Sequence, residues 1–134
     1  MNKIIDLNKI LEIYPQWDPS NVAFIKSIKW FDKNILMEVY CQSRKDRHNW
    51  PDLFSNFFEL KFRFDSVSNF SLNFGTSQLQ QVTGFDIWDI SGSGLEKINF
   101  KIQDYENGII EFGCERIVLI DVLGKVGLRD DDLV

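Results

Sequence analysis

Large apolar and polar residues alternate most strictly over residues 57–64, FFELKFRF. Phe58, Leu60, Phe62 and Phe64 fall on one side of an extended chain; Glu59, Lys61 and Arg63 fall on the other. This predicts an antiparallel strand with one buried and one solvated face. Phe70, Leu72 and Phe74 continue the rhythm after a kink at residues 66–69. Upstream, residues 22–31 (VAFIKSIKWF) put Phe24, Ile28 and Trp30 on one face, with Lys26 as the exception, so Trp30 is predicted in the core. Residues 35–42 return across the polar link Asp32-Lys33-Asn34, as in a hairpin. Ile35, Met37, Val39 and Cys41 share one face of that strand, with Leu36, Glu38 and Tyr40 opposite.

Further along, residues 75–83 are polar and predict a loop, and residues 85–91 (FDIWDIS) predict a strand. Ser91-Gly92-Ser93-Gly94 predicts a hairpin loop, and residues 95–103 return with Ile98, Phe100 and Ile102 inward. Asn107-Gly108 predicts a type I′ turn. Residues 109–112 and 116–123 complete the sheet, and the run IVLIDVL, apolar on both faces, predicts a central strand covered on both sides. Residues 124–134 are expected to fray. At the other end, Leu7, Ile10, Leu11 and Tyr14 recur at helical spacing. They predict one short helix over residues 6–14, capped by Asp6 and ended by Pro15.

The expected fold class is therefore mainly β, with a minor α component. It has seven or eight antiparallel strands in a curled sheet, a half-barrel or a two-layer sandwich, over one domain, 1–134. Twelve Phe in 134 residues fit that class, because large flat side chains suit pleated surfaces. No run of about 18 apolar residues is present, so no membrane span is expected. Residues 1–11 lack the continuous apolar stretch of a signal peptide, and a cytoplasmic location is expected. Cys41 and Cys114 are accordingly expected to be buried free thiols.

Charge changes the picture further. Residues 26–63 hold eight Lys/Arg and five Asp/Glu, whereas residues 64–134 hold five and twelve, a net −7. The acidic second half argues against nucleic acid, which needs a basic footprint, and suits a basic protein partner.

The residues that carry chemistry form no recognisable catalytic or metal pattern. His48 is the one histidine, and a triad needs a Ser or Cys brought to it by the fold. One His and two Cys, at 41, 48 and 114, match no zinc spacing. Asp130-Asp131-Asp132 lacks the Gly and Glu of a calcium loop, and Gly92-Ser93-Gly94 lacks the Lys-Ser/Thr of a phosphate loop. No cofactor is expected. The polar, basic segment 43–56 (SRKDRHNWPDLFSN) is the longest irregular stretch, where function often resides.

The tryptophans are more informative. With Phe85 and Ile87 inward, Trp88 and Asp86 face outward together, and an exposed Trp beside acids has the composition of a binding hot spot. The alternative is that the helix or the tail covers Trp88. Asp86, Trp88, Asp89 and Trp50, the last beside Pro51, are the candidate partner-binding residues.

The chain also resembles small bacterial immunity proteins of polymorphic toxin systems, a mostly-β family. The resemblance runs over about residues 20–122 and rests on four segments. These are Met37-Glu38-Val39-Tyr40, Trp50-Pro51-Asp52, the strand Leu60–Phe64 with Val67 and Asn69-Phe70 after it, and the late segment Phe112–Ile117. It implies a non-catalytic domain that binds and neutralises a cognate toxin, here a basic one, and it carries over no binding residues. The competing expectation is a small-molecule binder or enzyme on a curled sheet. Its site would lie near the 43–56 loop, in a cavity of a few hundred cubic ångströms lined by aromatics and a few polar groups.

Overall fold

In the computed structural model, residues 3–44, 49–76, 79–94 and 97–128 are described. They form nine strands: β1 (Val22–Phe31), β2 (Asn34–Cys41), β3 (Phe57–Asp65), β4 (Ser68–Leu72), β5 (Gln80–Gln81), β6 (Phe85–Asp89), β7 (Phe100–Asp104), β8 (Ile110–Cys114) and β9 (Arg116–Val126). All pair antiparallel, in a five-stranded sheet ordered β5-β1-β2-β3-β9 and a four-stranded sheet ordered β4-β8-β7-β6. The sheets do not close into a barrel; their apolar faces meet over one core. The strand beyond the expected seven or eight is β5, two residues long inside the segment that the sequence presents as a loop.

The alternation of β2 and β3 sets the register. Ile35 pairs with Phe64, Met37 with Phe62 and Val39 with Leu60, all buried. A one-residue slip would turn every one of these side chains to solvent. After β3 the kink is real, with positive φ at Ser66 (56°) and Asn69 (55°), and it carries the chain from the first sheet to the second. The β1–β2 hairpin holds it: Asn34 Oδ1 accepts from the Ser66 amide (3.0 Å), and the Lys33 carbonyl accepts from the Val67 amide (2.7 Å). Ring contacts then cross the core from sheet to sheet, Phe62 to Phe64 at 6.0 Å, Phe64 to Phe112 at 5.1 Å, and Phe112 to Phe70 at 5.6 Å.

Several expectations are corrected. The helix is α1 (Asn8–Leu11), not 6–14, and begins without a side-chain cap because its cap position is the apolar Leu7, one residue after Asp6; Leu7 and Ile10 are nevertheless buried as the spacing required. β1 does not keep one parity. Register shifts between Val22 and Phe24 and between Ile25 and Ser27 put Ala23 and Phe24 on the outer side and Ile25 in the core, since a bulge flips the faces that follow it. Trp30 is not core: it lies beyond the sheet contact, 52 % exposed, edge-on to Phe70 at 4.8 Å.

The Asn107-Gly108 turn is not type I′. Only Gly108 has positive φ (64°), and residues 105–109 form a longer loop. Asp104, 2 % exposed, organises that loop by accepting from the amides of Gly84 (3.1 Å), Glu106 (3.3 Å) and Ile109 (3.4 Å). A Cβ at Gly84 would stand 2.8 Å from the Glu106 amide nitrogen, so the clasp needs glycine there. Finally, β9 is an edge strand, not a central one. It runs to Val126, into the segment 124–134 expected to fray, of which residues 129–134 lie outside the described residues, and its free side receives the N-terminal segment through a parallel bridge from Ile5 to Val118.

The outer face of the five-stranded sheet is not simply solvated. Ala23, Phe24, Tyr40, Phe57 and Leu79 form a second buried cluster, with Trp50, Val126 and Leu128 packed against it. No helix among the described residues is long and apolar enough to cross a membrane. Both cysteines are free and buried. Burial pushes the Cys41 thiol up to about 12, opposed by the neighbouring Trp17 indole, and burial with the Asp65 charge pushes Cys114 up to about 12.

Candidate functional site

β6 is an edge of the four-stranded sheet, and its five residues alternate as the sequence demands. Phe85 and Ile87 are 1 % and 3 % exposed and face the core, so Asp86 and Trp88 face outward together. Trp88 is 52 % exposed; residues 129–134 of the tail lie outside the described residues. On β7, Gln103 stands opposite Asp86 and Lys101 opposite Trp88. Lys101 is neutralised by Glu111 of β8 at 2.9 Å. Asp86 receives the Ile87 amide at 2.9 Å and makes no ion pair among the described residues. Among the described residues no cation pairs with it beside the half-exposed indole.

Next to Lys101 the face dips into a depression of about 320 Å³, lined by Asn69, Ile90, Ile98, Lys101, Glu111 and Gly113. Gly113 keeps its floor low, because a Cβ there would meet Ile98 Cγ2 at 3.0 Å and Ser68 Oγ at 3.4 Å. A flat aromatic, an outward carboxylate and a shallow dip beside them suit a protruding basic side chain, since a cation is attracted both by the carboxylate and by the indole face.

The other two candidates are placed differently. Asp89 does not share the face of Asp86 and Trp88. It accepts from the Ser91 amide (3.0 Å) and hydroxyl (2.6 Å) and pairs with Lys3 at 3.1 Å. The Ser91 hydroxyl and amide, then Lys3, hold its carboxyl down to about 2. Trp50 lies on the outer side of the five-stranded sheet, against the second cluster. Its indole N–H donates to the Gln42 carbonyl (3.0 Å), and the Arg44 guanidinium lies 3.7 Å over its ring. That guanidinium also donates to the carbonyls of Ser20 (2.8 Å) and Thr83 (2.6 Å). The structure thus brings Asp86 and Trp88 together and separates Asp89 and Trp50 from them.

His48, Lys45, Asp46 and Arg47 lie outside the described residues, as do Asp130, Asp131 and Asp132. A second concavity of about 330 Å³, with Ser43 on its wall, opens between the N-terminal segment and the five-stranded sheet. Tyr14, Trp17 and Phe58 line it with Gln16, Asn21 and Ser43. The Tyr14 and Phe58 rings are stacked at 4.1 Å. On the outer face of the same sheet, Glu38 and Glu59 are pushed apart. The Ser27 hydroxyl holds Glu38 below the usual carboxylate range, whereas burial lifts Glu59 above it against the pull of Lys26. Each is already engaged, Glu38 by Ser27 at 2.6 Å and Glu59 by Lys26 at 3.2 Å.

Sequence reasoning missed Leu53 and Phe54. Phe54 is 101 % exposed and Leu53 39 %. The signal was the apolar pair inside an otherwise polar stretch, after Pro51-Asp52. Comparison of the chain with protein-family models, with curated proteins and with solved structures finds no match, so the site rests on its own geometry.

Proposed function

We propose that the chain is a non-catalytic protein-binding domain of the immunity type, which neutralises a cognate bacterial toxin by binding it. A basic partner docks on the outer face of the four-stranded sheet. The observation that carries this reading is the half-exposed Trp88 standing outward beside Asp86 on the same face of the strand. An aromatic held on a strand loses little freedom on binding, and its burial supplies most of the energy of a hot spot. The net charge of −5 adds long-range attraction for a cation-rich surface. The family resemblance supplies the identity of the partner as a toxin, and the cytoplasm is where such a domain would meet it.

The test is binding to the protein encoded next to this chain's gene, measured across ionic strength. Asp86→Lys slows association, and the effect fades as salt rises. Trp88→Ala raises the off-rate. Tight binding that neither substitution alters would move the interface elsewhere. Absence of binding by any neighbouring gene product would end the immunity reading.

A second reading is favoured by one observation, the concavity lined by Tyr14, Trp17, Phe58, Gln16, Asn21 and Ser43. Its size and its mix of aromatic and uncharged polar groups suit a small neutral molecule. Mass spectrometry of the protein purified under native conditions tests it: a stoichiometric small molecule whose retention is lost in Phe58→Ala would favour it over a protein partner.

A further inference from the structure

We propose that the concavity beside the N-terminal segment binds a neutral, flat ring carrying one hydrogen-bond acceptor, as in an aromatic amide or ketone, with the Asn21 side chain as donor. Such a site rests on the second functional reading and is independent of Trp88.

Asn21 ends the short turn Pro19–Asn21 that leads into β1. The turn is capped reciprocally: Asp18 Oδ1 accepts from the Ser20 amide (2.8 Å), and Asn21 Oδ1 accepts from the Asp18 amide (3.1 Å). The Asn21 carbonyl also accepts from the Gln42 amide (2.9 Å), just past the end of β2. The side-chain amide is therefore fixed, with its acceptor already used. Asn21 is only 9 % exposed, yet its Nδ2 donates to nothing among the described residues. Nor is Nδ2 sealed in, because the fully buried side-chain polar atoms left without a partner among those residues are Trp17 Nε1 and Ser68 Oγ. Asn21 lines the concavity of about 330 Å³, so an acceptor placed there can reach the unused donor. A nearly buried donor held in place without a partner calls for an acceptor from outside the chain. The Trp17 indole does not compete for it, because it acts on the Cys41 thiol on the core side.

The walls select the class of ligand. The Tyr14 and Phe58 rings stack at 4.1 Å and 13°. Phe58 is closed in at 6 % exposed, and the half-buried Tyr14 is the ring left to a ligand. A flat ring extends that stack, and Ile13 and Pro15 continue the apolar wall. No described lining residue is charged, so an ionic ligand would lose its hydration without a counter-charge. A sugar is disfavoured for a related reason. It carries a hydroxyl on nearly every carbon, and each needs a partner once buried. The polar side chains of the described wall are few: Gln16, Asn21, Ser43 and the Tyr14 hydroxyl. One acceptor on an otherwise apolar ring asks for the one donor that the fold holds ready. The volume suits a single substituted ring.

The experiment titrates benzamide into the isotopically labelled full chain and follows it by NMR, with cyclohexanecarboxamide and glucose as controls. Benzamide is expected to move the Asn21 side-chain NH₂ signal and to saturate in the millimolar range that so small a ligand allows. Cyclohexanecarboxamide, which keeps the acceptor and loses the flat ring, is expected to bind at least about tenfold more weakly, and glucose not at all. Asn21→Asp keeps the acceptor for the Asp18 amide and removes the donor, so benzamide affinity is expected to fall about tenfold; urea unfolding is recorded alongside. Tyr14→Leu leaves Asn21 untouched and is expected to erase the preference for benzamide over cyclohexanecarboxamide, which keeps the test open if Asn21→Asp fails to fold. Equal binding of the two amides, tighter binding of glucose, or a benzamide affinity that neither variant alters would overturn the assignment. A native protein that retains an aliphatic, saccharide or charged molecule would overturn the ring class and leave the small-molecule reading of the cavity standing. No binding of any probe, with no retained molecule, would end both.

Discussion

The outer faces of the two sheets begin from the same alternation and finish differently. On the five-stranded sheet, Phe24, Tyr40 and Phe57 point away from the main core, yet all are buried, because Leu79, Trp50 and Leu128 pack against them together with Val126, which stands opposite Phe57 on β9. On the four-stranded sheet, Asp86, Trp88, Lys101, Gln103 and Glu111 point outward and Trp88 stays half open. The difference lies in the connections. Residues of the 49–56 loop and of the approach to β5 pack on the outer face of the five-stranded sheet, whereas the 105–109 loop is drawn in under Asp104 and packs Ile109 on the inner core. An outward aromatic becomes core where the chain has length to spare beside it, and becomes surface where it does not.

The strongest way to break that contrast is Phe57→Ala. Phe57 is 1 % exposed and edge-on to Phe24 at 5.7 Å. If the outer cluster is a true second core, truncation costs about 3–5 kcal/mol, as much as Phe62→Ala on the inner face. Urea unfolding of both variants measures this. A cost for Phe57→Ala below about 1 kcal/mol would show that the covering segments lie loosely on the sheet, and the two faces would then be alike.

Next in size is the ionic clasp on the same sheet. Asp65 is bonded by Arg63 Nε at 2.7 Å and by Arg116 Nε at 3.1 Å. Burial works to raise its pKa, but the hydrogen bonds from the two guanidinium groups outweigh it and hold the carboxyl below its ordinary value. A folded-state pKa below the unfolded one gives stability that is complete above the unfolded pKa of about 3.9 and is lost as pH falls through the folded pKa. Asp65→Asn is expected to cost about 1–2 kcal/mol at pH 7, discounted because both arginines are partly solvated, and to flatten the acid limb of the stability curve. An unchanged acid limb would remove Asp65 from the account.

The cysteines sharpen the comparison from inside, since Cys41 lies on the inner face of one sheet and Cys114 on that of the other. With both thiols pushed to about 12, little reactive thiolate exists at pH 8. Labelling is expected to be slow and equal at both positions, limited by opening of the common core. Faster reaction at Cys114 would show that the four-stranded sheet opens first.

How much of this was legible in the chain follows from what alternation can and cannot encode. β2, β3 and β6 keep a strict period of two, so the inner residues Met37, Phe62 and Ile87, and with them the outward Trp88, followed from spacing alone. Bulges erase parity: Phe24 was assigned the face of Ile28, and the register shift between Ile25 and Ser27 put them on opposite sides. Position along a sheet is equally invisible, so Trp30 has the right face but lies past the end of the core, and the apolar run of β9 marks an edge that the N-terminal segment joins. Asn107-Gly108 promised a tight turn, but a buried Asp104 with three backbone donors outweighed the local preference. The prominence of Phe54 depends on the hydrogen bonds of a glutamine twelve residues earlier, which no local pattern reports.

The smallest expected effect is the one on which the functional contrast turns. Trp88 is on an edge strand, half exposed, with Lys101 opposite and no ring partner among the described residues. Trp88→Ala is therefore expected to change stability by only about 0.5 kcal/mol, mainly through lost strand preference. The same substitution is expected to weaken a protein complex at least about tenfold if Trp88 is an anchor, because the free indole gives up water only when the partner arrives. Phe57→Ala must show the reverse pattern: a large loss of stability and no specific loss of affinity in the fraction that remains folded. Measuring both quantities for both variants crosses the two outer faces against the two roles. A Trp88→Ala variant that loses several kcal/mol would make Trp88 structural, and the four-stranded face would then be closed in the same sense as the five-stranded one. A variant that keeps full stability and full affinity would leave Trp88 a bystander.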